Sequence, residues 1–294
     1  MSSETRGVDP AAPGGARRSG GREPRLARLA DRLDLTPALA VFRLEPEGGV
    51  PPFEPGQFVP LGLRLEGGRP LWRPYSIASP PEEQRHLELY VRLVRLPAER
   101  PHLTAELWRL RPGAPVLWKP PRGRFTIADQ HPDGSPDGRR LLLLSAGTGL
   151  APFVSCVLHR RAAGDPRPVV LCHGARYAEE LGYRELLSGL ERELGPARFR
   201  YVPTLSRPGE ERNAGWTGQV GRVESLLVRP EEGGPSRLEH VLGERLDPRS
   251  HCAYVCGFGG TVSAVVDALT PLGFRTRERP RPDGSYDVRC ESYG

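Results

Sequence analysis

Two patterns of apolar and polar positions divide the chain. From Arg25 to about Gly123 short apolar runs are separated by Gly and Pro turns, a spacing that predicts β-strands. Leu35–Leu44 reads as a turn and then a strand; Pro55–Leu63 is a second strand after a Pro-Gly turn. Leu71–Ala78, Leu87–Val94 and Ala114–Trp118 follow. This meander predicts a small antiparallel barrel. One helix interrupts it, with Thr104 as N-cap, Ala105–Leu110 as body and Arg111-Pro112-Gly113 as stop. From Arg140 onward strands alternate with helices. Leu141–Ser145, Pro168–His173, Phe199–Thr204 and His251–Cys256 read as strands. About Pro152–Ala163, Ala178–Leu194, Gly221–Val228 and Thr261–Leu272 read as helices. That alternation predicts an open, mostly parallel sheet covered by helices on both faces. The expected fold class is therefore β + α/β, an antiparallel barrel followed by a parallel α/β domain.

Residues 1–24, rich in Gly, Ser, Pro and Arg, are expected to form a flexible tail. The barrel is expected over 25–128, a linker over 129–139 and the α/β domain over 140–294. A chain of 294 residues suits two domains. No apolar run approaches the roughly 20 residues of a membrane helix, and the N-terminus has no secretory h-region, so a cytoplasmic protein is expected, with no membrane role. Five scattered cysteines form no framework or metal spacing, which fits a reducing compartment without a bound metal. Net charge is +6, carried by Arg, since Lys119 is the one lysine. No basic helix or aromatic-interleaved basic repeat points to nucleic acid. A basic surface suits an acidic partner or a phosphorylated ligand.

The chemistry-bearing motifs lie at strand ends. Leu141–Leu144 runs into Ser145-Ala146-Gly147-Thr148-Gly149, and Pro152 stands in the first turn of the next helix. Strand, glycine turn and helix aim backbone N–H groups at an anion such as a pyrophosphate. Tyr254-Val255-Cys256-Gly257 followed by Phe258-Gly259-Gly260 is a second such junction, with Cys256 at a strand end, where open α/β sheets bind ligands. In the barrel half, Arg73-Pro74-Tyr75-Ser76 joins a guanidinium suited to phosphate, an aromatic ring and a hydroxyl, a set able to hold a flavin. Tyr90, Val91 and Val94 on the next strand, with Leu103 and Thr104 at the helix start, offer backbone groups that complete a pyrophosphate cradle. The chain closes on Glu291-Ser292-Tyr293-Gly294, whose Tyr can stack on an aromatic cofactor.

In this order, RPYS, Gly147-Thr148-Gly149, Val255-Cys256-Gly257 and a terminal Glu-x-Tyr make the chain resemble the ferredoxin/flavodoxin–NADP+ reductases, most closely the bacterial type, from about Arg25 to Gly294. The resemblance implies FAD against the barrel, gripped by Arg73, Tyr75 and Ser76, and NADP(H) over Gly147-Thr148-Gly149. It implies that Tyr293 covers the flavin face, that Cys256 places the nicotinamide, and that Glu291 and Ser76 tune the flavin N5 environment. Hydride then passes between nicotinamide and flavin, and single electrons pass to ferredoxin or flavodoxin, an acidic redox protein; a monomer is expected. Arg176 follows the second strand of the α/β half and Ser206-Arg207 the third, at the edge where a 2′-phosphate would lie; Arg176 and Arg207 match positions the family uses for it.

Three departures stand out. No Gly precedes Thr104 in Pro101-His102-Leu103-Thr104; Gln219 replaces a third phosphate-binding Arg, with Arg212 and Arg222 nearby; and Gly294 trails Tyr293. A reductase component of an oxygenase system, a free-flavin reductase and a non-catalytic nucleotide-sensing module are the alternative readings.

Overall fold

The computed structural model of the protein describes residues 23–64, 68–94 and 102–293. The expected tail, apart from residues 23 and 24, lies outside them, as do Pro101 and Gly294.

The first sheet holds β1 (Arg25–Thr36), β2 (Leu39–Pro46), β3 (Phe58–Leu63), β4 (Leu71–Ser76), β5 (Leu87–Arg92) and β6 (Pro115–Trp118), all antiparallel in the order β4-β3-β6-β1-β2-β5. Its two edges meet through an Ile77–Leu89 bridge, and the Ala78 N–H donates to the Glu88 carbonyl at 2.8 Å. That closure makes a barrel and removes both sheet edges there. The period of two decides what each strand faces. On β2, Ala40, Phe42 and Leu44 enter the barrel core, while Leu39 and Val41 join the core shared with the second domain. On β5, Leu87, Leu89 and Val91 point into the barrel, and Tyr90 points out of it into the shared core.

β1 has no counterpart among the strands expected from sequence. Its pairing with β2 slips between Leu29 and Asp31 and again between Asp34 and Thr36. Such bulges break the alternation on which a strand is recognised. Helix α1 (Leu103–Arg109) buries Leu103 and Leu107 in the barrel core. Its N-cap is His102, not Thr104. The Thr104 hydroxyl is occupied elsewhere: it accepts from the Val94 N–H at 2.9 Å and lies 2.9 Å from His102 Nδ1.

The second sheet is wholly parallel: β7 (Arg140–Ala146), β8 (Val169–Ala175), β9 (Phe199–Leu205), β10 (Gln219–Val220), β11 (His251–Phe258) and β12 (Val288–Tyr293), in the order β10-β9-β8-β7-β11-β12. Helices α2 (Ala151–Ala162) and α3 (Arg184–Leu194) cover one face, beside the barrel. Helices α4 (Arg237–Leu242) and α5 (Gly259–Leu269) cover the other. Chain order reverses between β7 and β11, so a crevice opens at their carboxyl ends.

Two expected helices differ from the structure. Ala178–Leu194 is divided into a 3-10 turn at Ala178–Glu180 and α3, because Tyr183 adopts a left-handed φ of 60°. Gly221–Val228 holds only a 3-10 turn, Val223–Leu226, after the two-residue strand β10. The terminal segment forms β12, pairing in parallel with β11.

The domains share one core. Phe125 of the barrel side packs edge-on against Tyr254 of β11 and tilted against Phe153 of α2. The Ala128 N–H donates to the Tyr254 hydroxyl at 2.8 Å, and the Ser155 hydroxyl donates to the Ser79 carbonyl at 2.7 Å. Between the sheets, the 129–139 segment is held by Asp137, whose carboxylate meets Arg139 at 2.8 Å and Arg167 at 3.3 Å.

Candidate active site

Strand ends from both domains converge on one point. β11 runs two residues past the strand end expected at Cys256, to Phe258, and Cys256 lies in register with Ser145 of β7 on one side and Glu291 of β12 on the other. Residues 252, 254 and 256 share the strand face toward the barrel, which aims Cys256 at the domain junction. On β12 the same alternation puts Glu291 and Tyr293 on one face. The Tyr293 hydroxyl lies 3.0 Å from Cys256 Sγ and donates to the Thr148 carbonyl at 3.3 Å. Cys256 Sγ lies 3.9 Å from Glu291 Oε2. From the barrel, Ser76 ends β4, close enough that its hydroxyl acts to lower the pKa of both the Glu291 carboxyl and the Tyr293 phenol.

The electrostatics favour neutral groups. Burial drives the Cys256 thiol pKa far up, so the sulfur keeps its proton. Burial also raises the Glu291 pKa, against hydrogen bonds from Ser76 and Cys256 that lower it. A thiol, a hydroxyl, a phenol and a carboxyl that takes up protons readily therefore meet at one junction.

The glycine turn is fitted to this place. Gly147 takes a φ of +57°, and Gly147–Leu150 forms a 3-10 turn leading into α2, with Pro152 in its first turn as expected. A Cβ on Gly149 would lie 2.2 Å from the Cys256 carbonyl oxygen, so only glycine lets the turn approach β11. Beneath the turn, His173 is fully buried within β8, and burial lowers its pKa to about 4.

On the barrel side, Arg73 and Pro74 are exposed on β4, and Tyr75 packs partly into the barrel core. Among the described residues the Arg73 guanidinium donates only to the adjacent Trp72 carbonyl, which leaves a cation available to an anion. His102 stands near enough to Arg73 that burial and this positive charge both lower its pKa. This donor set fits a diphosphate-linked flavin. The other expected barrel residues contribute differently. The Val91 side chain is in the barrel core, and Leu103 and Thr104 are buried. The Tyr90 hydroxyl is committed to the other domain, donating to the Glu180 carbonyl and accepting from the Gly182 N–H, both at 3.1 Å.

A cleft of about 410 Å³ opens at the carboxyl edge of the parallel sheet, lined by Ala146, Gly147, Gly174, Arg176, Ser206 and Arg222 among others. Three guanidiniums face it, those of Arg92, Arg176 and Arg222, which suits a phosphorylated ligand. The expected residues divide here. Arg176 and Ser206 line the cleft; Arg207 instead pairs with Glu210 at 3.0 Å and meets the Tyr177 hydroxyl at 3.2 Å. Arg212 pairs with Glu179 and stacks on the Tyr177 ring at 3.7 Å. Sequence reasoning missed Arg92, Glu180 and Phe258 in this cleft. The signal for Arg92 was its period-two relation to Tyr90; nothing local marks Glu180.

Comparison with known proteins matches this architecture. Residues 27–127 match the oxidoreductase FAD-binding domain model, and residues 143–267 match the oxidoreductase NAD-binding domain model. Ferredoxin–NADP reductase B of Sorangium cellulosum is 34% identical over 83% of this chain and 90% of its own length. Ferredoxin–NADP reductase of Azotobacter vinelandii is 30% identical over 80% of this chain and 84% of its own. The crystal structure of a ferredoxin NADP+ reductase from Neisseria gonorrhoeae with bound FAD and NADP superposes with a TM-score of 0.72 at 25% identity, covering 92% of this chain and 98% of that one. With the matched domain pair, the relatives' identity and the convergent strand ends, the chain belongs to the ferredoxin–NADP reductase family.

Proposed function

We propose that the protein exchanges electrons between NADP(H) and ferredoxin or flavodoxin by way of FAD, with the flavin against a barrel of residues 25–128 and the nucleotide on residues 140–294. The observation that carries this reading is the meeting of Ser76 from the barrel with Cys256, Glu291 and Tyr293 from the parallel sheet. FAD, when bound, supplies two-electron acceptance with one-electron release. The residues supply position. Arg73 neutralises the diphosphate, and Tyr75 with Pro74 shapes the barrel wall beside it. The Gly147–Gly149 backbone and Arg176 hold the nucleotide's phosphates, with Ser206 beside them. Tyr293 closes the junction and must yield for a nicotinamide to enter, which breaks its contacts to Cys256 and Thr148. The protonated Cys256 thiol then offers a donor to the entering ring. Ser76 and Glu291 hold a proton within one hydrogen-bond relay of the reacting centre.

The three cleft guanidiniums, those of Arg92, Arg176 and Arg222, support NADP(H) over NAD(H). The excess of Arg supports an acidic acceptor protein. Purification tests the reading first: the protein should retain FAD through gel filtration and be reduced by NADPH. Release of reduced flavin into solution would favour a free-flavin reductase instead.

A further inference from the structure

One carboxylate in the cleft is tied to both domains. Glu180 is 6% exposed, yet it stays ionised: burial raises its pKa, and Arg92 and Arg176 together reverse the shift. Its closer partner is Arg92 of β5, at 2.8 Å, a contact across the domain boundary. Its second partner is Arg176 of its own domain, at 3.4 Å.

The segment that carries this carboxylate is held against the barrel. Tyr90, on the same face of β5, grips the Glu180 carbonyl and the Gly182 N–H. A Cβ on Gly182 would lie 2.4 Å from the Tyr90 hydroxyl, so the loop sits directly on the barrel strand. The next residue, Tyr183, holds its left-handed backbone with its hydroxyl 3.3 Å from Glu88 Oε2, again on β5. Glu88, Tyr90 and Arg92 thus use one face of one strand to fix the 180–183 segment.

We propose that Arg92, carried by the barrel, sets how strongly the other domain grips a nucleotide 2′-phosphate, by engaging Glu180 that would otherwise neutralise Arg176. This rests on the reading that Arg176 receives that phosphate. Two guanidiniums share one carboxylate, so positive charge remains for an incoming dianion. Without Arg92, Glu180 has Arg176 as its partner, and the phosphate must compete for it. Without Glu180, neither guanidinium has a salt-bridge partner among the described residues.

Calorimetric titration of the full-length, flavin-loaded protein with 2′,5′-ADP and with 5′-AMP tests this. Arg92→Gln should weaken 2′,5′-ADP about three- to tenfold and leave 5′-AMP within about twofold. Glu180→Gln should tighten 2′,5′-ADP by a similar factor, and the double variant should return near the parent. Arg92→Lys, which keeps the charge, should stay near the parent. The inference is overturned if Arg92→Gln leaves 2′,5′-ADP unchanged or weakens both ligands alike, or if Glu180→Gln weakens 2′,5′-ADP. Arg176→Gln separates the two failures. If it does not weaken 2′,5′-ADP, the phosphate assignment itself falls; if it does while Arg92→Gln has no effect, only the present inference falls.

Discussion

At the scale of single residues, Gly149 and Cys256 are bound to each other by space. The Cβ of an alanine at 149 would meet backbone rather than a flexible side chain, so the strand end must shift. Gly149→Ala is expected to destabilise the fold by about 2–4 kcal/mol, a cost in the range of other steric insertions, measurable by denaturant unfolding. A parent-like midpoint would show that the turn relaxes freely. Cys256 has the opposite profile. Its thiol is buried and protonated, so Cys256→Ala should fold normally and slow hydride transfer by about tenfold or more through misplaced substrate, a gap that rapid mixing resolves. An unchanged rate would remove Cys256 from the proposed site. The four residues at the junction were legible in the sequence as separate motifs: Ser76 in RPYS, Cys256 beside a glycine turn, and Glu291 and Tyr293 in the terminal Glu-x-Tyr. Glu180 was not. Its environment is made by β5, about 90 residues earlier in the chain, and no local pattern encodes that neighbour.

At the scale of elements, period two does most of the placing. It sends Val91 into the barrel and Tyr90 out of it, and it sets Cys256 on the sheet face that meets the barrel. Where the period fails, so does legibility. The bulges in β1 hide a 12-residue strand, and the polar residues of β12 disguise the strand that carries Glu291 and Tyr293. The interruption at Tyr183 is likewise tertiary in origin, since the loop bends to meet β5. Tyr90→Phe removes the one hydroxyl that satisfies the Glu180 carbonyl and the Gly182 N–H. It should cost about 1–3 kcal/mol, because it leaves a buried amide without a partner. Equal urea midpoints for variant and parent would show that this contact does not hold the loop.

At the scale of the whole molecule, the two domains are joined by apolar packing, and an ionic cluster ties the 129–139 segment to the parallel-sheet domain. Burial of Asp137 raises its pKa, but hydrogen bonds from Arg139 and the charge of Arg167 outweigh this and bring it down to about 2, below the ordinary 3.8. A depressed carboxyl pKa contributes stability that is fully present above the unfolded value and lost as pH falls through the folded one. Asp137→Asn should therefore lower the melting temperature at neutral pH and flatten its decline between about pH 4 and about pH 2. A variant with the parent's acid profile would exclude Asp137 as the source. The net charge of +6 has its own consequence: reduction of an acidic ferredoxin or flavodoxin should slow steeply as salt rises, and a salt-independent rate would argue against charge-guided docking.

The central claim is that two ligand shelves face one another across the junction of Ser76, Cys256, Glu291 and Tyr293. Anaerobic rapid mixing of the purified protein with NADPH or NADH, followed at the flavin absorbance band, tests it most directly. The account predicts a flavin-containing protein whose band bleaches rapidly with NADPH and at least about tenfold less efficiently with NADH. A protein without flavin, or one whose flavin is bleached by neither nucleotide, would contradict it.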